Sequence, residues 1–203
     1  MALEQRLELP VFEGSQMEKV SQILDWIGKN IEKRRWTDEE IEEKFAKRSA
    51  VEILNDGHTC YMNPCGDYTF VTAEILKRNG FDVTLVIEEL KRPHKEYAEI
   101  HFAIELSMDG EHYFIEYVTL DDARFEKGLF VDRFGDKYIT GEKIRVDGSR
   151  LNPFEHPFRA LGITYEEDLP KAFRSYSLRP HLEQLKKDNT DGTYEKFLRE
   201  RKR

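Results

Sequence analysis

The chain begins with a pattern typical of amphipathic helices. In "GSQMEKVSQILDWIGKNIEKRR", Ser15 and Glu18 have the spacing of an N-terminal capping box. The apolar residues of this stretch recur every three or four positions, as the buried stripe of a helix requires. They are Met17, Val20, Ile23, Leu24, Ile27 and Ile31. The pattern predicts a first helix with one face on the core.

Two shorter helices are predicted next. Thr37 and Glu40 form a second capping box ahead of "TDEEIEEKFAKR". The segment "SAVEILND" predicts another helix, which ends at Gly57 because glycine readily adopts the left-handed backbone of a helix end.

A fourth helix is predicted close to Cys65. Pro64 disfavours helical backbone at Asn63, so the helix should begin within a residue or two of the cysteine. Its apolar pattern continues to Gly80, which is a good C-terminal stop. The sequence therefore predicts a cysteine at a helix N-terminus.

Alternating apolar and polar residues follow, and they predict strands. The strands are "FDVTLVIEEL", "EIHFAIELS" and "EHYFIEYVT", and the sheet is expected to continue with "GLFVDRF" and "KYITGEKIRV". Asp109-Gly110 is a strong hairpin signal between the second and third strands. Helices followed by an antiparallel sheet predict an α+β fold, with the cysteine-bearing helix packed on the sheet.

The sequence divides into two parts near residue 150. Residues 1–150 are predicted to form the core domain. Two prolines interrupt "LNPFEHPFRALGI", and helical patterns follow in "LPKAFRSY", "PHLEQLKKD" and "TYEKFLRERKR". Residues 151–203 are therefore expected to form a helical extension, which is a candidate docking surface for a protein partner.

Composition limits the classes of function. The chain has 203 residues with a net charge of −8 and a pI near 5.4, so no general electrostatic case for nucleic-acid binding exists. The apolar runs are too short to cross a bilayer and the first residues lack a signal-peptide pattern, so we expect no membrane association and a cytoplasmic location.

Two cysteines do not make a disulfide framework. Cys60 is expected to pack in a loop or core, with a reversible disulfide to Cys65 as a minor alternative. His58 and the two cysteines lack the second ligand pair of a zinc site, so we expect no metal and no cofactor.

Cys65 is the candidate nucleophile. The dipole and N–H groups of a helix N-terminus favour a thiolate, and the backbone N–H of Cys65 is a candidate oxyanion donor. A thiol nucleophile also needs an imidazole and a group that orients it. The alternative is that Cys65 is a small buried apolar residue.

The hairpin supplies those partners. A two-residue turn at Asp109-Gly110 pairs Ala103 with Glu116 and puts His101 and Glu116 on one face of the sheet. Glu116 is then a diagonal neighbour of His101, about 7–8 Å away between backbone positions and within reach of a long side chain. A slip of one residue would turn Glu116 to the other face.

These residues resemble the transglutaminase-like superfamily, which has a papain-like thiol fold. Over about residues 17–120, Cys65 is followed by an acid and an aromatic, Asp67 and Tyr68, and by a helix that ends at Gly80 before a strand. The segment "HFAIELSMDGEHYFIE" matches the family's second motif, a strand that opens with His and a strand that ends in Asp. Arylamine N-acetyltransferases share this core and resemble the chain more distantly.

The resemblance implies a Cys-His-acid triad, here Cys65, His101 and Glu116. The chain departs from the family pattern in three ways: Glu replaces the usual Asp, Asn-Pro precedes the cysteine, and "HTCYMN" is inserted. Asp121 and Asp122 are alternatives for the acid. The arginine and double glycine that precede the acetyltransferase cysteine are also missing, which weighs against CoA chemistry.

Further residues are candidates around the thiol. Asn63, Trp36 and Asp67 are candidates for contacts with substrate or oxyanion, and Asp67 is alternatively a helix cap. Tyr68 and Phe70 are expected in the core.

The expected reaction is hydrolysis of a peptide or protein amide, or transfer of its acyl group, through an acyl-enzyme. The alternatives are a non-catalytic binding module and a CoA-dependent acyltransferase.

Overall fold

The computed structural model describes residues 9–62, 64–95, 98–117, 123–130, 139–162, 178–190, 192, 195, 196 and 199. In this part of the chain, four α-helices precede the main sheet and a fifth follows it: α1 (Gln16–Asn30), α2 (Asp38–Lys44), α3 (Ala50–Asp56), α4 (Cys65–Arg78) and α5 (Leu178–Thr190). The capping boxes predicted at Ser15 and Thr37 are present. Gly57 ends α3 at a φ of 66°, so the predicted helices up to α4 are confirmed.

The main sheet contains five antiparallel strands in the order β6-β5-β4-β3-β7. They are β3 (Asp82–Lys91), β4 (Ala98–Met108), β5 (Glu111–Glu116), β6 (Arg124–Lys127) and β7 (Ile139–Asp147). A separate parallel pair joins β1 (Glu32–Arg34) to β2 (His58–Cys60). The α+β fold class is confirmed, whereas the small parallel pair was not predicted because three-residue strands carry little periodicity.

The hairpin register is as predicted. Asp109 and Gly110 have φ values of 50° and 79°, as a type I′ turn requires, and Ala103 lies opposite Glu116. Because side chains alternate along a strand, one face of the sheet carries His101 and Glu116. The opposite face packs on α4 through Phe102, Ile104, Leu106 and Ile115, and α1 packs on α4.

One strand prediction is wrong. In "GLFVDRF", Gly128–Phe130 is not a strand, and residues 131–134 lie outside the described part. The sheet continues instead with β6, four residues earlier, where Phe125 packs against the core. Phe130 covers the polar face and packs against Val86, Ala103 and Phe114, which explains its apolar character without a strand.

Helix α5 packs against a second, smaller core. Leu182 and Leu185 contribute from α5, and the rest comes from the N-terminal half: Trp36, Ile41, Phe45 and Cys60. This confirms the helix predicted in "PHLEQLKKD". The segments "LPKAFRSY" and most of "TYEKFLRERKR" lie outside the described residues, and the division at residue 150 stays a prediction. None of the described helices has both the length and the apolar composition needed to cross a bilayer.

Candidate active site

Cys65 is the first residue of α4, as predicted. The first helical hydrogen bond runs from the Tyr68 N–H to the Pro64 carbonyl at 3.0 Å. The Tyr68 hydroxyl donates to the Ile31 carbonyl at 2.8 Å, and the Thr69 hydroxyl donates to the Phe102 carbonyl at 3.4 Å. These bonds tie the beginning of α4 to α1 and to the strand that carries His101.

His101 and Glu116 form a buried hydrogen-bonded pair. His101 Nε2 lies 3.0 Å from Glu116 Oε1, and the two residues are 5% and 2% exposed. The pairing of β4 with β5 ends at Ala103–Glu116, so His101 lies just beyond the last pair. The predicted diagonal contact between strand neighbours is therefore present.

The charge on His101 depends on both of its partners. Burial lowers the pKa of His101, but hydrogen bonds to Cys65 and Glu116 and the negative charges of these groups outweigh it and raise the pKa to about 10. Because Nε2 faces Glu116, Nδ1 is the ring nitrogen left for the sulfur. His101 is thus an imidazolium at neutral pH, held between the Cys65 sulfur and the Glu116 side chain.

Arg124 completes the surroundings of Glu116. It lies opposite Glu116 on β6, and its Nη1 donates to Glu116 Oε2 at 3.1 Å. Its Nε donates to Glu126 at 2.6 Å. Each oxygen of the Glu116 carboxylate therefore has its own charged partner, which fixes the plane of the carboxylate toward His101.

A second carboxylate faces His101 across the sheet. Glu88 is the directly paired residue on β3, is fully buried, and lies 2.8 Å from Lys143 Nζ. Neither Arg124 nor Glu88 was predicted from the sequence. A predicted pairing of β3 with β4 would have placed Glu88 opposite His101. Arg124 lies on β6, which the sequence pattern placed four residues too late.

Trp36 is buried near α4, but its N–H is already used. The indole Nε1 donates to His58 Nδ1 at 3.0 Å, and the Arg48 guanidinium lies 4.7 Å above the ring. Burial and the charges of Arg34 and Arg48 lower the pKa of His58, so this imidazole is neutral and accepts the bond. Trp36 is therefore available as an apolar wall.

Asp67 links α4 to the chain before it. Its Oδ2 accepts hydrogen bonds from Arg48 and from Thr59, the latter at 2.6 Å, while Pro64 is the N-cap residue of α4. The cap role considered for Asp67 is thus wrong, because the carboxylate points to a buried arginine. Burial raises the pKa of Asp67, and Arg48 and Thr59 oppose that effect.

The remaining candidates divide into two groups. Cys60 is buried in the second core, and both cysteines are free thiols. Tyr68 and Phe70 are buried, as predicted. Asn63, Asp121 and Asp122 lie outside the described residues.

A comparison with known families places the chain in one of them. A profile described as the transglutaminase-like domain matches residues 4–125, which is more than half of the chain. The chain belongs to the transglutaminase-like domain family. Comparisons with curated proteins and with solved structures gave no match.

The match in this transglutaminase-like domain includes the main residues of the site. Cys65, His101, Glu116 and Arg124 lie within it, as does the buried Arg48–Asp67 pair. Arg48 was overlooked because a lone arginine after a predicted helix gives no pattern. Only the fold brings it within contact of Asp67, 19 residues later.

Proposed function

We propose that this protein is a cysteine-dependent enzyme that hydrolyses an amide or peptide bond, or transfers its acyl group, through an acyl-enzyme. The observation that carries the proposal is the position of His101, which hydrogen-bonds to both Cys65 and Glu116. Membership of the transglutaminase-like family agrees with it. Thiol, imidazole and carboxylate are the three groups that nucleophilic catalysis of this kind needs.

In the first step, the Cys65 sulfur attacks the substrate carbonyl carbon as the thiolate. The imidazolium of His101 and the positive end of α4 favour this negative charge. The tetrahedral intermediate collapses, the C–N bond breaks, and His101 gives its proton to the leaving amine. The product is a thioester on Cys65 and a neutral imidazole.

In the second step, His101 removes a proton from water or from an acceptor amine that attacks the thioester. The C–S bond breaks and the thiolate returns beside the imidazolium. Glu116 holds the His101 ring in place through both steps, and Arg124 holds Glu116. Water is always present, which makes hydrolysis the leading choice over transfer.

The test compares the rate at which iodoacetamide alkylates Cys65 at pH 7 in wild type and three variants. Peptide mapping locates the label. We expect rapid labelling at Cys65, a loss of about tenfold or more in His101→Ala, and no labelling there in Cys65→Ala. Cys60→Ala is the matched control, since it removes the other buried thiol and should keep the rapid labelling. Equal rates in wild type and His101→Ala would contradict the proposal.

A second candidate is a non-catalytic binding module of the same family. The burial of the site favours it, because Cys65 is only 7% exposed. The same experiment separates the two: a Cys65 thiol that remains unlabelled for hours while the protein is folded supports the module.

A further inference from the structure

A row of charged residues crosses the polar face of the main sheet, with one residue from each strand. Successive members lie directly opposite each other in the strand register, except that Glu116 is the diagonal neighbour of His101. From β7 to β6 the members of this charged row are Lys143, Glu88, His101, Glu116 and Arg124. Their charges alternate in sign when His101 is protonated, so the imidazolium has a carboxylate on each side.

Glu88 is close enough to act on His101. Directly opposed residues of antiparallel strands share one face, and their Cβ atoms are about 4.5–5.5 Å apart. Lys143 is 2.8 Å from Glu88, but it lies one strand further from His101, and neighbouring strands are about 4.8 Å apart. The attraction between Glu88 and the imidazolium therefore outweighs the more distant repulsion from Lys143.

The middle of the charged row is shielded from water. Glu88 is fully buried, and His101 and Glu116 are 5% and 2% exposed. The Phe130 ring covers this part of the face, since its centroid lies 6.0 Å from the imidazole centroid and 5.3 Å from Lys143 Nζ. Water and salt screen buried charges much less than exposed ones, so the charges in this row interact strongly.

Strand β4 itself carries two more carboxylates on the same face, each with its own cation. Glu99 lies 3.1 Å from Lys95, and Glu105 lies 3.0 Å from Arg145. Their strand partners are uncharged residues of β3. From α4, the Cys65 thiol bonds the imidazole. Glu88 is thus the carboxylate that lies directly opposite the imidazole, whereas Glu105 offers a matched control on the same face.

We propose that Glu88 is a further positioning residue of the site, which holds the His101 imidazolium from the side opposite Glu116. The inference rests on the function proposed above. Two flanking carboxylates favour the protonated ring more than one does. The consequence is that the Cys65 thiolate and the His101 imidazolium persist as an ion pair to higher pH than Glu116 alone would allow.

The titration of the His101 ring tests this role. In full-length protein labelled with ¹³C at histidine, the His101 ring resonance is assigned by its absence from His101→Gln and followed from about pH 5 to about pH 10.5. We expect a midpoint of about 10 in wild type. In Glu88→Gln it should be lower by about 0.5–2 pH units, because glutamine keeps the shape of the side chain but lacks the charge.

Glu105→Gln is the matched control. It removes a buried carboxylate from the same strand and face, but four residues along the strand is about 13 Å, so the midpoint should stay within about 0.3 pH unit of wild type. Equal midpoints in wild type and Glu88→Gln, or equal shifts in Glu88→Gln and Glu105→Gln, overturn the assignment.

A double variant keeps the test decisive if Glu88→Gln does not fold. Glu88→Met combined with Lys143→Met replaces the ion pair with apolar side chains of similar volume, a change that buried ion pairs often tolerate. The midpoint should again fall, by a smaller amount, because the nearer negative charge and the more distant positive charge are removed together. An unshifted midpoint in this variant also overturns the assignment.

Iodoacetamide labelling of Cys65 separates this inference from the proposed function. A lowered His101 midpoint in Glu88→Gln, together with equal labelling rates in wild type and His101→Ala, leaves the role of Glu88 standing and overturns catalysis. Rapid labelling that depends on His101, together with an unshifted midpoint in Glu88→Gln, does the reverse.

Discussion

Arg124 Nη1 donates to Glu116 Oε2 at 3.1 Å, on the oxygen opposite the one that faces His101. The two residues are direct neighbours on β6 and β5. Because Glu116 is 2% exposed, its second oxygen has no water to replace a lost donor. The orientation of the carboxylate toward His101 thus depends on a residue from another strand.

We expect Arg124→Gln to slow the iodoacetamide labelling of Cys65 several-fold and to lower the free energy of unfolding by about 1–3 kcal/mol. The reason is that Glu116 is then free to rotate away from His101. Arg145→Gln is the matched control, since Arg145 bonds Glu105 on the same face at 3.0 Å. A labelling rate that falls equally in both variants would show that Arg124 has no specific positioning effect.

The His101–Glu116 pair predicts a pH dependence of stability. The pKa of His101 is raised from 6.5 to about 10 in the folded protein, so the folded state holds its proton more tightly than the unfolded state. This contribution is complete below pH 6.5 and is lost as the pH rises toward 10.

We therefore expect Glu116→Gln to destabilise the protein by about 2–4 kcal/mol at pH 6 and by less at pH 10. Urea unfolding at pH 6, 8 and 10 measures this difference. Glu126→Gln is the control, because Glu126 is more exposed and should change stability by less than about 1 kcal/mol. A difference for Glu116→Gln that stays constant across this range would argue against the raised pKa.

His181 predicts a loss of stability in acid. Burial lowers its pKa to about 4, so the unfolded state binds a proton between pH 6.5 and 4 that the folded state excludes. Each pH unit of acidification within this window lowers the free energy of unfolding by about 1.4 kcal/mol. Between pH 7 and pH 4.5, the free energy of unfolding should fall by about 2–3 kcal/mol less in His181→Phe than in wild type. The phenylalanine preserves a ring beside Phe45.

Thermal unfolding at the two pH values measures this shift. His156, whose pKa burial lowers to about 3, keeps some acid sensitivity in the variant. An identical loss of stability in wild type and His181→Phe would contradict the prediction.

The hairpin turn sets the register of the site. Gly110 has a φ of 79°, so Gly110→Ala should cost about 1–2 kcal/mol in urea unfolding. Asp109→Asn is the control, because asparagine tolerates the φ of 50° at that position. A Gly110→Ala protein with wild-type stability would argue against a type I′ turn here.

The second core predicts that α5 unfolds with the rest of the protein. Leu185 is buried among residues of the N-terminal half, so Leu185→Ala should lower the free energy of unfolding by about 2–5 kcal/mol in a single transition. The observation of two transitions, with only the smaller one shifted, would instead support a separate unit beyond residue 150. Circular dichroism during thermal unfolding measures this.

The local features of the sequence predicted much of the fold. The capping residues Ser15 and Thr37 fixed two helix starts, and Pro64 located the start of α4, because these signals act over a few neighbouring residues. The segment after the hairpin was harder to interpret. Phe130 in "GLFVDRF" is apolar because it covers a sheet face, and periodicity alone does not distinguish that from a strand.

The sequence by itself determined that His101 and Glu116 share one face of the sheet. A two-residue turn sets the strand register, and the alternation of side chains then puts both residues on the same side. Only the tertiary structure decided the contacts between distant residues: Cys65 with His101, Arg124 with Glu116, and Arg48 with Asp67. The physical reason is that turn geometry is set by adjacent residues, whereas these contacts join distant parts of the chain. Their formation depends on how the helices and strands pack around the common core.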